Sequence, residues 1–190
     1  MIMPFALTYA ELKALKPCED DFVKVIAILG GAAAWGGRLI TAADARAAGV
    51  SMEHVIWVAS RLALSNGEIE RRLQHWSCDC AMRVLAIFED SVPGDGRPRG
   101  AIEAGRRYAD GLIGAAEWAA ARAAAEDAAS DAAQAAAWDA AWGAAGWNTA
   151  AWGARFGSTF IAAKAAEQHW QFGRLCEWLS DTAPETEPGL

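Results

Sequence analysis

Half of the 52 residues from Ala115 to Ala166 are alanine, and this density constrains the fold more than any other feature of the sequence. Alanine has the highest helix propensity because its side chain loses no rotamer entropy in a helix. Because alanine also buries little area, helices of this composition gain stability only when their axes lie close together. The run therefore predicts closely packed helices rather than disorder.

Tryptophans interrupt the alanine run and supply the volume that alanine lacks. They are Trp118, Trp138, Trp142, Trp147 and Trp152. In an alanine-rich bundle most of these rings are expected to fill gaps in the core. Tryptophan is also enriched at interface hot spots, and ten are many for one core, so one or two are expected on a binding surface.

Capping residues and glycines divide the rest of the chain into helices. Thr8 with Glu11 fits a capping box, Thr41 begins a second short helix, and Ser65 with Glu68 predicts a capping box ahead of a long amphipathic helix. The apolar positions of that helix are Ile69, Leu73, Trp76, Cys80, Val84 and Ile87. Its expected polar side carries Arg71, Arg72, Gln74, His75 and Asp79. This period predicts a helix with one face on the core.

The sequence predicts an all-α fold, a compact multi-helix bundle with an Ala/Trp-rich C-terminal half and no β-sheet. A helix after Pro98 is expected to bury Ile102, Gly105, Ala109 and Leu112, and a last helix covers about 158–179. Alternation typical of a strand is absent. We expect a short-helix subdomain over 1–66, a helical domain over 67–180 and a disordered acidic tail over 181–190.

Composition and charge exclude several classes of function. The formal net charge of −7 argues against direct nucleic-acid binding, which requires basic residues that neutralise phosphates. No run of about 20 strongly apolar residues is present, so we expect no membrane span. The first residues lack the pattern of an export signal, which favours a cytoplasmic protein with reduced cysteines.

His75, Cys78 and Cys80 are spaced like part of a metal or redox motif. On a helix, however, Cys78 and Cys80 diverge and cannot share a metal ion or form a disulfide. The sequence therefore predicts no metal site and no cofactor, with Cys80 in the core and Cys78 on the polar side.

Arginines gather at the start of the helix that follows Pro98. Arg97 and Arg99 form a possible anion contact there, since free backbone amides add positive potential. The competing interpretation is structural, because Arg99-Glu103, Glu103-Arg107 and Arg106-Asp110 are all four-residue helical pairs.

Acidic residues dominate the span from Asp110 to Asp139, where Arg122 is the single base. On a helix most of these acids could share one face and attract a protein partner with a basic surface. The candidate partner-binding residues are Glu117, Asp127, Asp131 and Asp139, together with Trp138 and Trp142. The alternative is a solvated face that keeps an alanine-rich helix soluble.

Catalytic motifs are not recognisable in the sequence. It contains no nucleophile elbow, phosphate-binding glycine loop or His-Glu-x-x-His helix, so a non-catalytic protein is expected. An enzyme with an unfamiliar helical site remains an alternative, with His75 and Asp79 one turn apart as its acid–base pair.

Residues 65–170 resemble a known family. The resemblance is carried by Trp76-Ser77-Cys78-Asp79-Cys80-Ala81, Val84-Leu85, Ile87-Phe88-Glu89, Pro93, Asp95, Arg97-Pro98-Arg99, Ala101-Ile102-Glu103-Ala104 and Arg106. This pattern, followed by an alanine-rich run, is similar to the immunity-five-like family of bacterial polymorphic toxin systems. Gly105 departs from it, because alanine is expected at that position.

The resemblance implies an α-helical inhibitor that neutralises a toxin stoichiometrically. In that family Arg97, Pro98 and Arg99 match a motif that looks like part of the fold rather than of the toxin-binding surface. Residues 1–64 are not covered, and their short helices are similar to those of small phage-encoded proteins. A phage-encoded antagonist of a bacterial defence complex is therefore a second hypothesis.

Overall fold

The computed structural model describes residues 5–35, 37–131, 158–180 and 184. The chain forms two compact units. Unit 1 comprises Met1–Leu73 with Phe172–Leu190, and unit 2 comprises Gln74–Gln171. Trp138, Asp139, Trp142 and nearly all of the predicted acidic tail lie outside the described residues.

Helices make up most of the described chain, which confirms the all-α class. They are α1 Tyr9–Ala14, α2 Glu19–Ile28, α3 Ala32–Trp35, α4 Ala42–Ala48, α5 Met52–Ala63, α6 Gly67–Ser91, α7 Arg97–Ala109, α8 Ala115–Asp131 and α9 Ser158–Trp178. The helical prediction for the alanine run is thus confirmed over α8 and the start of α9, and residues 132–157 lie outside the described part.

Two short strands correct the expectation that the chain forms no sheet. β1, Ala6–Leu7, pairs antiparallel with β2, Ile40–Thr41, and the register places Ala6 opposite Thr41. Two residues are too few to show alternation in a sequence. The pair satisfies backbone groups of extended segments that enter α1 and α4.

Two of the three predicted helix starts, the capping box at Thr8 and the cap at Thr41, are confirmed, and Thr41 also forms a capping box. The Thr8 and Thr41 hydroxyls accept hydrogen bonds from the amides of Glu11 and Asp44, and both carboxylates bond back to the capping residues. The third prediction is wrong. Asn66, not Ser65, caps α6, because its Oδ1 accepts from the amides of Glu68 and Ile69. The carboxylate of Glu68 is thereby available to nearby arginines.

Arg72 is a buried arginine of unit 1 that binds several groups at once. It is 4% exposed, and its Nη1 donates to the carbonyl oxygens of Trp178, at 3.0 Å, and Ser180. Glu68 Oε1 accepts from Arg72 Nε at 2.7 Å, and Arg71 forms two further bonds to the same carboxylate. The guanidinium therefore closes the C-terminal end of α9, where unpaired carbonyl groups carry partial negative charge. The prediction that Arg72 lies on a solvent-facing side is wrong because these partners come from the far end of the sequence.

The ionisation of Glu68 makes the stability of the protein depend on pH. Hydrogen bonds from Arg71, and then from Arg72, lower the pKa of Glu68 from 4.5 to about 2. A carboxyl group whose pKa is depressed in the folded state stabilises the protein above its unfolded pKa and loses that contribution as the pH falls. We expect the melting temperature to fall between pH 4.5 and about 2, and to fall less in Glu68→Gln. Circular dichroism melts across this range measure the difference. The exposed Glu70→Gln variant should behave as wild type, and equal slopes for all three proteins would contradict the assignment.

Unit 2 buries both sides of α6. Cys78, Ala81, Leu85 and Ile102 form one apolar cluster, with Met82 packed against it. His75 and Asp79 on the predicted polar side are also buried, at 1% and 6% exposed, so that prediction is wrong. Of the residues expected in the core of α7, Ile102 and Gly105 are buried. The expected burial of Leu112 is wrong, because this residue lies beyond the end of α7 and is 69% exposed.

Candidate protein-binding surface

Two polar pairs inside unit 2 join α6 to α7. His75 Nε2 lies 2.9 Å from Asp110 Oδ1, at the residue that ends α7. Arg106 Nη2 donates to Asp79 Oδ1 at 3.0 Å, and both side chains of this pair are largely buried. Since burial of a charge is tolerated only when it is paired, these contacts fix the register of the two helices.

The arginines of α7 find partners outside their own helix. Arg99 donates two hydrogen bonds to Glu89 on α6, at 2.8 and 2.9 Å, and Arg97 pairs with Asp95 at 2.7 Å. Arg106 binds Asp79 on α6. Within α7, Glu103 attracts Arg99 electrostatically, which agrees with the four-residue pair expected there. Because carboxylates engage both Arg97 and Arg99, the structural interpretation of these residues is favoured over the anion contact.

Gly105 lies close to side chains of α6 and α8. A Cβ atom there would lie 2.9 Å from Cys78 Sγ, 3.2 Å from Gln74 Nε2 and 3.4 Å from Trp118 Nε1. The departure from the expected alanine therefore has a steric cause: the Cys78 thiol occupies the space of the missing methyl group. It also shows why the placement of Cys78 on the polar side is wrong, since this thiol is 4% exposed.

Three of the four cysteines are buried thiols. Burial raises the pKa of Cys78 to about 11, of Cys80 to about 12 and of Cys176 to about 11, so they stay protonated at neutral pH. Cys18 is exposed. Within the described ranges, no group of three or more His, Cys, Asp or Glu residues is placed to hold a metal ion.

Aromatic and charged side chains join α7 to α8. The Tyr108 and Trp118 rings stack with centroids 4.7 Å apart and an angle of 8° between their planes. The Arg122 guanidinium lies 5.2 Å from the centre of the Trp118 ring, and Arg107 pairs with Glu117 at 3.6 Å. The Tyr108–Trp118 stack and the Arg107–Glu117 pair hold α8 against α7, while the Arg122–Trp118 contact lies within α8.

Of the predicted partner-binding acids, those on α8 lie within the described residues and Asp139 lies outside them. The Glu117 side chain is 60% exposed, and that of Glu126 is 69% exposed and lies 3.7 Å from Arg122. Asp127 and Asp131 lie on α8. Asp110, which we placed in the same acidic span, is bound to His75 instead. The structure thus shows exposed acids on α8, with arginines next to Glu117 and Glu126.

The two residues of the alternative catalytic pair both bind residues of α7 or of its C-terminal end. His75 binds Asp110 and Asp79 binds Arg106, and both side chains lie in the interior. This arrangement favours a structural role for each. Among the helices that the structure describes, none is both long and apolar enough to cross a membrane.

Several of these contacts are missed by sequence reasoning. Besides the His75–Asp110 and Asp79–Arg106 pairs, Arg83 on α6 lies 4.4 Å from the centre of the Trp170 ring and pairs with Glu167 at 2.6 Å. The unusual Gly105 is the one local signal, since a glycine inside a helix indicates close packing. The other contacts join residues far apart in sequence and leave no local pattern.

These features define a mainly helical protein whose second unit has polar pairs between α6 and α7 and presents exposed charges on α8. A family model described as "Imm-5 like putative immunity protein" matches residues 64–176, well over half of the chain. The chain therefore belongs to this family, which confirms the resemblance in the sequence. No curated protein and no solved structure matches it.

Proposed function

We propose that this chain is an immunity protein that neutralises a bacterial toxin in the cytoplasm by binding it, without catalysis. The family match carries this proposal, because it spans residues 64–176 and so includes all of unit 2. The pairing of His75 and Asp79 with α7 supports a binding role, since neither side chain is presented to a substrate.

The surface of α8 is the proposed contact with the toxin. This helix carries four acids and one base, a formal charge of −3, which suits a partner with a basic surface. Most of its described alanines are exposed, and their small side chains allow close approach of a partner. Asp127 and Asp131 are proposed to contribute, with Trp138, Asp139 and Trp142 from the segment that follows.

A titration of the toxin tests both binding and the absence of catalysis. The toxin domain encoded beside this chain in its native genome is expressed separately, and its activity is measured as the immunity protein is added. We expect inhibition to be complete at one equivalent. Full protection by a small fraction of an equivalent would show turnover and contradict the proposal.

Charge reversal tests the surface itself. The double variant Glu117→Lys with Glu126→Lys should weaken binding by roughly tenfold or more, because like charges placed across an interface cost several kcal/mol. The matched control, Glu70→Lys, reverses an exposed acid in unit 1 and should bind as wild type. If the double variant binds and protects as well as this control, α8 is not the contact surface.

A further inference from the structure

Unit 1 contains a cavity formed by residues that the family match does not cover. Its volume is about 290 Å³, and its lining residues all lie between Phe5 and Val58. Deeply buried apolar side chains form its wall, including those of Leu12, Trp35 and Val55. Protein interiors normally close such spaces, because an unfilled apolar volume loses the dispersion contacts of its lining atoms.

Helix α2 lies along one side of this cavity. No residue of α2 is buried, although Phe22 and Val25 of this helix line the cavity. Both side chains are partly exposed, and the Phe22 ring packs against that of Tyr9 with centroids 5.6 Å apart. A dry apolar cavity of about 150 Å³ can hold benzene, so the present space is large enough for a bigger apolar molecule.

The charged residues of the lining are both acidic. They are Asp21 and Glu53, and no Lys or Arg is among the described residues that line the cavity. Asp21 Oδ1 lies 3.9 Å from His54 Nε2 and 3.2 Å from Lys24 Nζ, while Glu53 is exposed and has no ion pair within the described chain. Since Cys18 and Glu53 are exposed, they mark the mouth of the cavity. An apolar interior with acids in its lining complements a ligand that has an apolar body and a cationic head.

We infer that unit 1 binds a small apolar amine, with its hydrocarbon part between α2 and Trp35 and its ammonium group beside Glu53 and Asp21. This site is separate from the proposed toxin contact, so it can fail without affecting that proposal.

Three ligands with one apolar body and different heads test the charge preference. Phenylbutylamine, phenylbutanol and phenylbutyrate are added to the full chain, and binding is followed by calorimetry and by the resonance of the Trp35 indole N–H. That N–H donates to the Leu7 carbonyl oxygen at 3.2 Å and reports directly on the cavity wall. We expect one ligand per chain, with the amine tightest and the acid weakest. Absence of binding by all three, or equal binding of the acid and the amine, would overturn the inference.

Two sets of variants locate the site. Ala45 is buried and lines the cavity, so Ala45→Leu should fill it, retain the fold and abolish amine binding. Val25→Phe, on the opposing helix α2, is the alternative cavity-filling variant if Ala45→Leu does not fold. Glu53→Gln should weaken amine binding by about threefold while leaving phenylbutanol unchanged, since an exposed charge pair contributes less than about 1 kcal/mol. Glu70→Gln is the control outside the lining. Unchanged amine binding in a folded cavity-filling variant would place the ligand elsewhere and overturn the inference.

Discussion

Replacing Asp79 with alanine is expected to lower the free energy of unfolding by about 3–5 kcal/mol, because it leaves the buried guanidinium of Arg106 without its charge partner. The Arg106 side chain is 17% exposed and Asp79 is 6% exposed, so water replaces the lost carboxylate only in part. Arg106 Nε is already buried without a hydrogen-bond partner among the described residues, which leaves this guanidinium especially dependent on Asp79. Urea denaturation followed by circular dichroism measures the change.

A surface pair and a double variant test the cause of this loss. Glu126→Ala removes an acid from an exposed pair with Arg122 and should change stability by less than about 1 kcal/mol. Asp79→Leu combined with Arg106→Met should recover most of the stability, because apolar groups of similar size often replace a buried ion pair without loss. If Asp79→Ala is no more destabilising than Glu126→Ala, the buried pair is not a major contributor.

Gly105→Ala is expected to destabilise the protein by about 1–2 kcal/mol, even though alanine is normally favoured over glycine within a helix by about 1 kcal/mol. The opposing effect is overpacking, since the new methyl group would lie 2.9 Å from Cys78 Sγ. Gly100→Ala is a matched control in the same helix, where a Cβ meets nothing within 4 Å. It should be neutral or stabilising.

Removing the thiol tests whether Cys78 is the obstacle. In Cys78→Ala with Gly105→Ala the methyl group of residue 105 takes the space of the sulfur atom. We expect a coupling energy of about 0.5–3 kcal/mol, with the double variant more stable than the sum of the single changes predicts. Additive effects would assign the cost of Gly105→Ala to Gln74 or Trp118 instead.

Local features of the fold could be predicted from sequence, and long-range ones could not. The helix starts at Thr8 and Thr41 depend on nearby residues, so both could be recognised before the structure, although the carboxylate of Asp44 was not recognised as part of a capping box. The same local reasoning chose Ser65 over Asn66, because both residues can accept a hydrogen bond from a helix amide.

The burial of His75 and Asp79 could not be predicted from the spacing of apolar residues along α6. Their partners, Asp110 and Arg106, come from α7, and a period assigns a polar residue to solvent unless its partner is known. The exposure of acids on α8 followed from composition, whereas the position of Arg107 beside Glu117 depended on the turn between two helices.

The closure of α9 by Arg72 has a practical consequence for fragment design. A recombinant fragment restricted to the family-matched residues 64–176 would omit Trp178 and Leu179, each 2% exposed, and the carbonyl groups that Arg72 binds. It would also omit Phe5, whose amide bonds to the carbonyl oxygen of Leu179. Such a fragment would expose apolar surface that is buried in the full chain. It would aggregate more readily than a fragment that extends through residue 180 and retains the N-terminal helices.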